Sequence, residues 1–198
     1  MTALNGTGQG QNNGVTVGVD VGGTTITALV VDDSLHVRSE LTSQTDKSSV
    51  RHTLDSIAAT ITQAVQRAQI PLTQISAIGI GVPGKVNALS GIVEMAVNLN
   101  WDRVPAGELL RNMMGVPCYV ENDLNLAALG YHHFFTSTDI RNMAYVTVGT
   151  GVAAGFILDG RLYRGSNGMA GEFGHMVIDP AGPRCNCGNH GCLETFTA

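Results

Sequence analysis

The chain has 198 residues, 43% hydrophobic and only 14% charged, with 25 glycines. That balance excludes a disordered polymer, which needs low hydrophobicity and high net charge, and leaves enough apolar residues for one or two cores. A formal net charge of −5 lacks the basic footprint of a nucleic-acid-binding domain. The longest apolar runs, such as residues 75–82, are well short of the ~20 residues that span a bilayer. No basic stretch leads into an apolar one at the N-terminus, so the chain reads as untargeted and cytoplasmic.

Residues 1–14 are Gly, Asn, Gln and Thr with hardly an apolar side chain and are predicted to form a disordered polar tail. Val15 to Val21, Thr25 to Val31 and Leu35 to Ser43 read as three strands rich in Val, Ile and Thr, joined by turns at Gly22-Gly23 and Asp32-Asp33-Ser34. Val50 to Gln69 is helical: Leu54, Ile57, Ile61, Ala64, Val65 and Ala68 recur at spacings of three and four, and Pro71 closes the run. Ala77 to Val82 is a fourth strand, Glu108 to Met114 a short helix, Cys118 to Val120 a strand, and Leu124 to Leu129 a helix. Met143 to Val148 and Val152 to Leu158 form a second hairpin around Gly149-Thr150-Gly151. The last residues, from Leu193, look like the start of a helix that nothing ends, so the chain reads as truncated.

Four segments carry chemistry. Asp20-Val-Gly-Gly-Thr24 offers a hairpin whose Gly22, Gly23 and Thr24 amides can cradle a phosphate, and an Asp that can hold Mg²⁺ through water. An ordinary tight hairpin with a capping Asp accounts for the same residues. Gly149-Thr150-Gly151 repeats the device, and two such turns facing across a cleft could hold one polyphosphate. In Glu121-Asn122-Asp123, a strand ends and a helix begins. Asn122 or Asp123 serves there either as an N-cap or, for Asp123, as a general base toward a substrate hydroxyl.

The fourth segment is His175-x9-Cys185-x-Cys187-x4-Cys192, a Cys3His set suited to tetrahedral zinc, with turns supplied by neighbouring glycines and prolines. Three reduced core thiols would fit poorly beside Asn, Gly, Arg and Pro. With all four protein ligands used, the metal is structural, since a catalytic zinc keeps a position open for water. Glu172, His175 and Glu194 flank this knuckle, and with Asn98, Asn122 and Asp123 they form a donor–acceptor set suited to a polyol.

Taken as a series, these motifs resemble the ROK family of repressors, open reading frames and sugar kinases, and within it the bacterial glucokinase-like hexose kinases. The matching stretches are Asp20-Val-Gly-Gly-Thr24, Gly81-Val-Pro-Gly84, Asn98-Leu-Asn-Trp101, Glu121-Asn-Asp-Leu-Asn125, Gly149-Thr-Gly151, Gly171-Glu-Phe-Gly-His175 and Cys185-x-Cys-Gly-x-x-Gly-Cys-Leu-Glu194, in family order from Val15 onward. The resemblance implies an α/β, actin-like (ribonuclease-H-like) fold, with ATP and sugar bound between two lobes, residues 15–121 and the incomplete 122–198.

It makes Asp123 the base for the 6-hydroxyl of a hexose. Asn98, Asn122, Glu172, His175 and Glu194 become sugar contacts, and the Asp20 and Gly149 turns become the phosphate sites. One His175 nitrogen would bind zinc while the other faces the sugar. ATP, Mg²⁺ and structural Zn²⁺ are the implied cofactors, and a dimer or tetramer the implied assembly. A sugar-sensing repressor domain and a catalytically inactive sugar-binding relative are the alternatives. Two features depart from the pattern: Ala153 and Ala154 stand where the kinases favour glycine, and the chain is shorter than the ~300 residues of two ordinary lobes.

Overall fold

A computed structural model describes residues 14–137, 139–149 and 151–197. The expected polar tail therefore lies, but for Gly14, outside the described residues. The first body is a five-stranded mixed sheet in the order β3-β2-β1-β4-β8. Its strands are β1 (Val15–Val21), β2 (Thr25–Val31), β3 (Val37–Gln44), β4 (Ile75–Val82) and β8 (Cys118–Asn122). β1, β2 and β3 form an antiparallel meander, while β4 runs parallel to both β1 and β8.

Successive side chains on a strand point to opposite faces. Val17, Val19 and Val21 are buried on one face of β1, and Gly18 and Asp20 stand on the other. The buried face is covered by α1 (Val50–Arg67) and α2 (Ala106–Met114). α1 starts where the Ser49 hydroxyl accepts the His52 N–H at 3.2 Å, a side-chain N-cap. It buries Leu54, Ile57, Ile61, Ala64 and Val65 against the sheet, each large apolar side chain contributing about 1.5–3 kcal/mol.

Between β4 and α2 the chain forms a small antiparallel sheet that sequence reading does not anticipate: β5 (Lys85–Asn87), β6 (Ile92–Ala96) and β7 (Trp101–Val104). A third sheet, order β11-β10-β9, holds β9 (Met143–Val148), β10 (Val152–Leu158) and the unforeseen β11 (Arg161–Tyr163). The predicted strand starting at Leu35 begins at Val37 instead, because Leu35 adopts φ +63° in the preceding turn. The short C-terminal α4 (Glu194–Thr197) lies where a helix start is expected.

α3 (Asp123–Phe135) joins the two bodies. It is twice the length read from the sequence, continuing through Gly130 to Phe135. Its N-terminal half packs against β4 and β8, and it also lies across β9 and β10. Gly155 of β10 lets this happen: a Cβ there would sit 2.5 Å from the Ala128 methyl and 2.7 Å from the Leu124 carbonyl. Among the described residues no helix is long and apolar enough to cross a membrane.

Candidate active site and metal centre

The β8–α3 junction sets the geometry. Asn122 is the N-cap of α3: its Oδ1 accepts the Asn125 N–H at 2.9 Å, and its Nδ2 donates to the Gly84 carbonyl at 2.9 Å. The capping role thus falls to Asn122 and leaves Asp123, the first helical residue, with its carboxylate in the cleft. Asp123 Oδ1 accepts the Leu124 N–H at 2.7 Å. Burial, reinforced by the charge of Asp20, nonetheless holds its carboxyl above the ordinary 3.8. Asp20, on the open face of β1, is also raised by burial. Two carboxylates that repel one another across a cleft become easier to protonate.

The cleft, about 940 Å³, opens between the bare face of the five-stranded sheet, α3, and the β9–β10 hairpin. Of the residues singled out in the sequence, Asp20, Asn98, Asn122, Asp123, Gly149, Gly151, Glu172, His175 and Glu194 all line it. Gly22, Gly23 and Thr24 are not among its lining. The Gly22 N–H donates to the Thr25 carbonyl at 2.8 Å, and that of Gly149 to the Gly151 carbonyl at 3.0 Å, so both amides serve their own hairpins. Gly23 sits against Asn98, where an added Cβ would lie 3.1 Å from the Asn98 carbonyl oxygen. Thr150, read as a phosphate contact, lies outside the described residues. Ala153 lines the cleft.

Glu172 and His175 arrive on a loop whose path depends on Gly171. Its φ is +99°, and a Cβ there would fall 1.7 Å from the Ala154 carbonyl oxygen, so only glycine fits. Burial pushes the Glu172 carboxyl up, with the His175 ring opposing and Asp123 and Glu194 reinforcing the rise. His175 Nε2 lies 3.8 Å from Glu172 Oε2, while its Nδ1 lies 3.4 Å from Glu194 Oε1. One ring nitrogen thus faces Glu172 and the other faces the cysteine cluster.

His175, Cys185, Cys187 and Cys192 converge, their ligand atoms all within 4.8 Å of one another. Cys185 Sγ lies 3.6 Å from His175 Nδ1, and Cys187 Sγ lies 3.6 Å from Cys192 Sγ. Metal–ligand bonds of about 2.0–2.3 Å in a tetrahedron give edges of roughly 3.3–3.8 Å, so this donor set fits zinc. All four cysteines of the chain are free thiols. His190, which lies between Cys187 and Cys192 in the sequence, is exposed and paired through its backbone with Arg184.

Two residues outside the cleft lining, neither singled out by the sequence, support the β8–α3 junction. Glu121, 7% exposed at the end of β8, accepts the Asn122 N–H at 2.9 Å, Asn125 Nδ2 at 3.0 Å and Arg164 Nε at 2.6 Å. The signal available was an acidic residue ending an otherwise apolar strand, which demands a partner when buried.

An open sheet with helices on its buried face, a second sheet across a cleft and carboxylates at the strand ends define the actin-like ATPase fold, shared with a solved ROK glucokinase and a solved ROK hexokinase. The ROK family model matches residues 16–198, and the chain belongs to that family. A glucokinase of Streptomyces coelicolor is 39% identical over 185 residues, covering 93% of this chain and 56% of the relative. A xylose repressor of Caldicellulosiruptor bescii is 40% identical over 138 residues, covering 70% and 35%. The crystal structure of a ROK family glucokinase from Streptomyces griseus in complex with glucose and AMPPNP superposes with a TM-score of 0.81 at 35% identity, covering 92% of this chain and 57% of that one. The chain thus spans about half the length of the glucokinases it matches.

Proposed function

We propose that the protein to which this chain belongs is an ATP-dependent hexose kinase of the glucokinase type, transferring the γ-phosphoryl group to the sugar 6-hydroxyl. The observation that carries this reading is the placement of Asp123: first residue of α3, in the cleft, with its carboxyl held above the ordinary range. A base with a raised pKa is a better proton acceptor for a hydroxyl, while phosphoryl transfer otherwise needs mainly positioning. In this reading Asp123 takes the 6-hydroxyl proton as the oxygen attacks the γ-phosphorus and ADP leaves.

Asn98, Asn122, Glu172, His175 and Glu194 hold the other hydroxyls. Asn122 has both polar atoms engaged in the protein, so it contributes only its remaining lone pair and N–H. Asp20 is the residue suited to water-mediated Mg²⁺, beside the Asp20 and Gly149 turns as phosphate sites. His175, Cys185, Cys187 and Cys192 would hold zinc, which fixes the His175 ring so that Nε2 faces the sugar. Residues 15–121 and 122–198 are read as the first lobe and the start of the second. A cytoplasmic homo-oligomer, with sugar and nucleotide rather than nucleic acid or membrane as partners, completes the proposal.

The kinship with a xylose repressor supports a second reading, a sugar-sensing regulator. The deciding experiment is ATP-dependent phosphorylation of a hexose panel by the full-length gene product. Activity lost in Asp123→Asn supports the kinase. Silence with every sugar while one of them binds supports the sensor or a catalytically inactive relative.

A further inference from the structure

The geometry points to Glu121 and Arg164 as a pair of positioning residues that brace the helix carrying Asp123 against the loop carrying Glu172 and His175. This inference rests on the kinase reading. Glu121 sits immediately before Asn122-Asp123, and its carboxylate gathers three donors from separate parts of the chain. Oε1 takes the Asn122 N–H and Asn125 Nδ2, both belonging to the start of α3. Oε2 takes Arg164 Nε at 2.6 Å, from the residue that follows the third sheet's β11. One carboxylate oxygen therefore fixes the base's helix, and the other reaches the opposite body.

Arg164 follows β11 and begins the loop that delivers the sugar-facing residues. Its carbonyl accepts the Ala170 N–H at 3.1 Å, which closes the loop on itself. The Gly171 carbonyl then accepts the Ala154 N–H at 2.9 Å, pinning the chain to β10 one residue before Glu172. Among the described residues, the Arg164 guanidinium makes the one side-chain hydrogen bond from this loop to β8. The Glu121 side chain is 10% exposed and that of Arg164 46%. A partly buried ion pair adds little net stability compared with an apolar pair, but a charge-assisted bond to a planar guanidinium is short and directional. Its contribution here is geometric: it fixes the distance between the base and the loop that would hold the sugar.

The test is steady-state kinetics on the full-length protein with a hexose and ATP, alongside the thermal midpoint of each variant. Glu121→Gln keeps an acceptor for Asn122 and Asn125 but removes the charge that holds Arg164. Arg164→Met removes the donor and keeps the stem, and Arg164→Lys restores one charged donor. Misplacing a reacting group by about 1 Å can cost on the order of 100-fold. The expected result is a kcat lowered about 10- to 100-fold in Glu121→Gln and Arg164→Met, with sugar KM within about threefold of wild type. Arg164→Lys should recover at least part of the loss, and the double variant should be no worse than the poorer single, because both remove one contact.

Wild-type kcat per folded enzyme in Arg164→Met, or losses that multiply in the double variant, would overturn the brace. So would a raised KM with kcat unchanged. Asp123→Asn is measured in parallel. If it is inert while the brace variants turn over normally, the brace falls and the kinase reading stands. If it is fully active, there is no base at residue 123 to position, and both fall.

Discussion

Gly155 in β10 and Ala128 in α3 face one another so closely that a methyl on the glycine would stand 2.5 Å from the alanine methyl. This seam holds the helix that presents Asp123 against the β9–β10 hairpin. Gly155→Ala should destabilise the protein by about 1–3 kcal/mol through overpacking. Gly18→Ala is the matching control. No atom lies within 4 Å of a Cβ there, so stability should hold or rise by up to about 1 kcal/mol. Chemical denaturation of the two variants checks both signs.

The Asp123 carboxyl is raised by burial and by Asp20, with two consequences. As a base it must be ionised, so the acidic limb of kcat/KM should lie above the ordinary 3.8 and move to lower pH in Asp20→Asn. For stability the folded state binds this proton more tightly than the unfolded state does. The contribution is therefore favourable at low pH and is lost as pH rises from the unfolded value through the raised folded one. A pH–rate profile on wild type and Asp20→Asn gives the first result, and denaturation as a function of pH the second.

Asn122 both caps α3 and ties it to the Gly84 carbonyl. Asn122→Ala should lose about 1–2 kcal/mol together with most of the activity. Asn122→Asp keeps the acceptor for the Asn125 N–H but not the donor to Gly84, so it should recover stability more than rate. Thermal unfolding set beside turnover separates the two roles.

Protein purified without chelator should carry one zinc per chain, as elemental analysis would report. Stripping it, or replacing Cys192 by Ser, should lower the thermal midpoint by about 5 °C or more. Sugar affinity should fall with it, because His175 loses the partner that orients its ring. Titration calorimetry with the sugar on metal-free and zinc-reloaded protein measures that loss.

The strands β1, β2, β9 and β10 were legible because short runs rich in Val, Ile and other apolar residues lie between glycine turns, a pattern set by residues close in sequence. The convergence of His175 with the cysteines was legible for the same reason, three of the four residues lying within eight positions. β5, β6 and β7 were not: they are short, carry Lys85, Asn87, Glu94, Asp102 and Arg103, and exist through pairing with one another. α3 was read short because Gly130 and the aromatics after it are weak helix formers. Tyr131 instead packs its ring on Tyr145 of β9, with centroids 5.6 Å apart, a contact remote in sequence. The Glu121–Arg164 pair escaped for a different reason. Its partners are 43 positions apart, and nothing local to Arg164 announces a buried acid on another strand.

β9 lies at the edge of its sheet, paired only with β10 among the described residues. Its sequence, Met-Ala-Tyr-Val-Thr-Val, contains no charge and no proline, and Val146 and Val148 are exposed. A bare edge of that composition is a template onto which another strand can add. Isolated in concentrated solution, this chain would therefore be prone to self-association along β9. A single lysine at Val146 would serve as a gatekeeper, making the segment easier to handle without touching the cleft-lining Thr147.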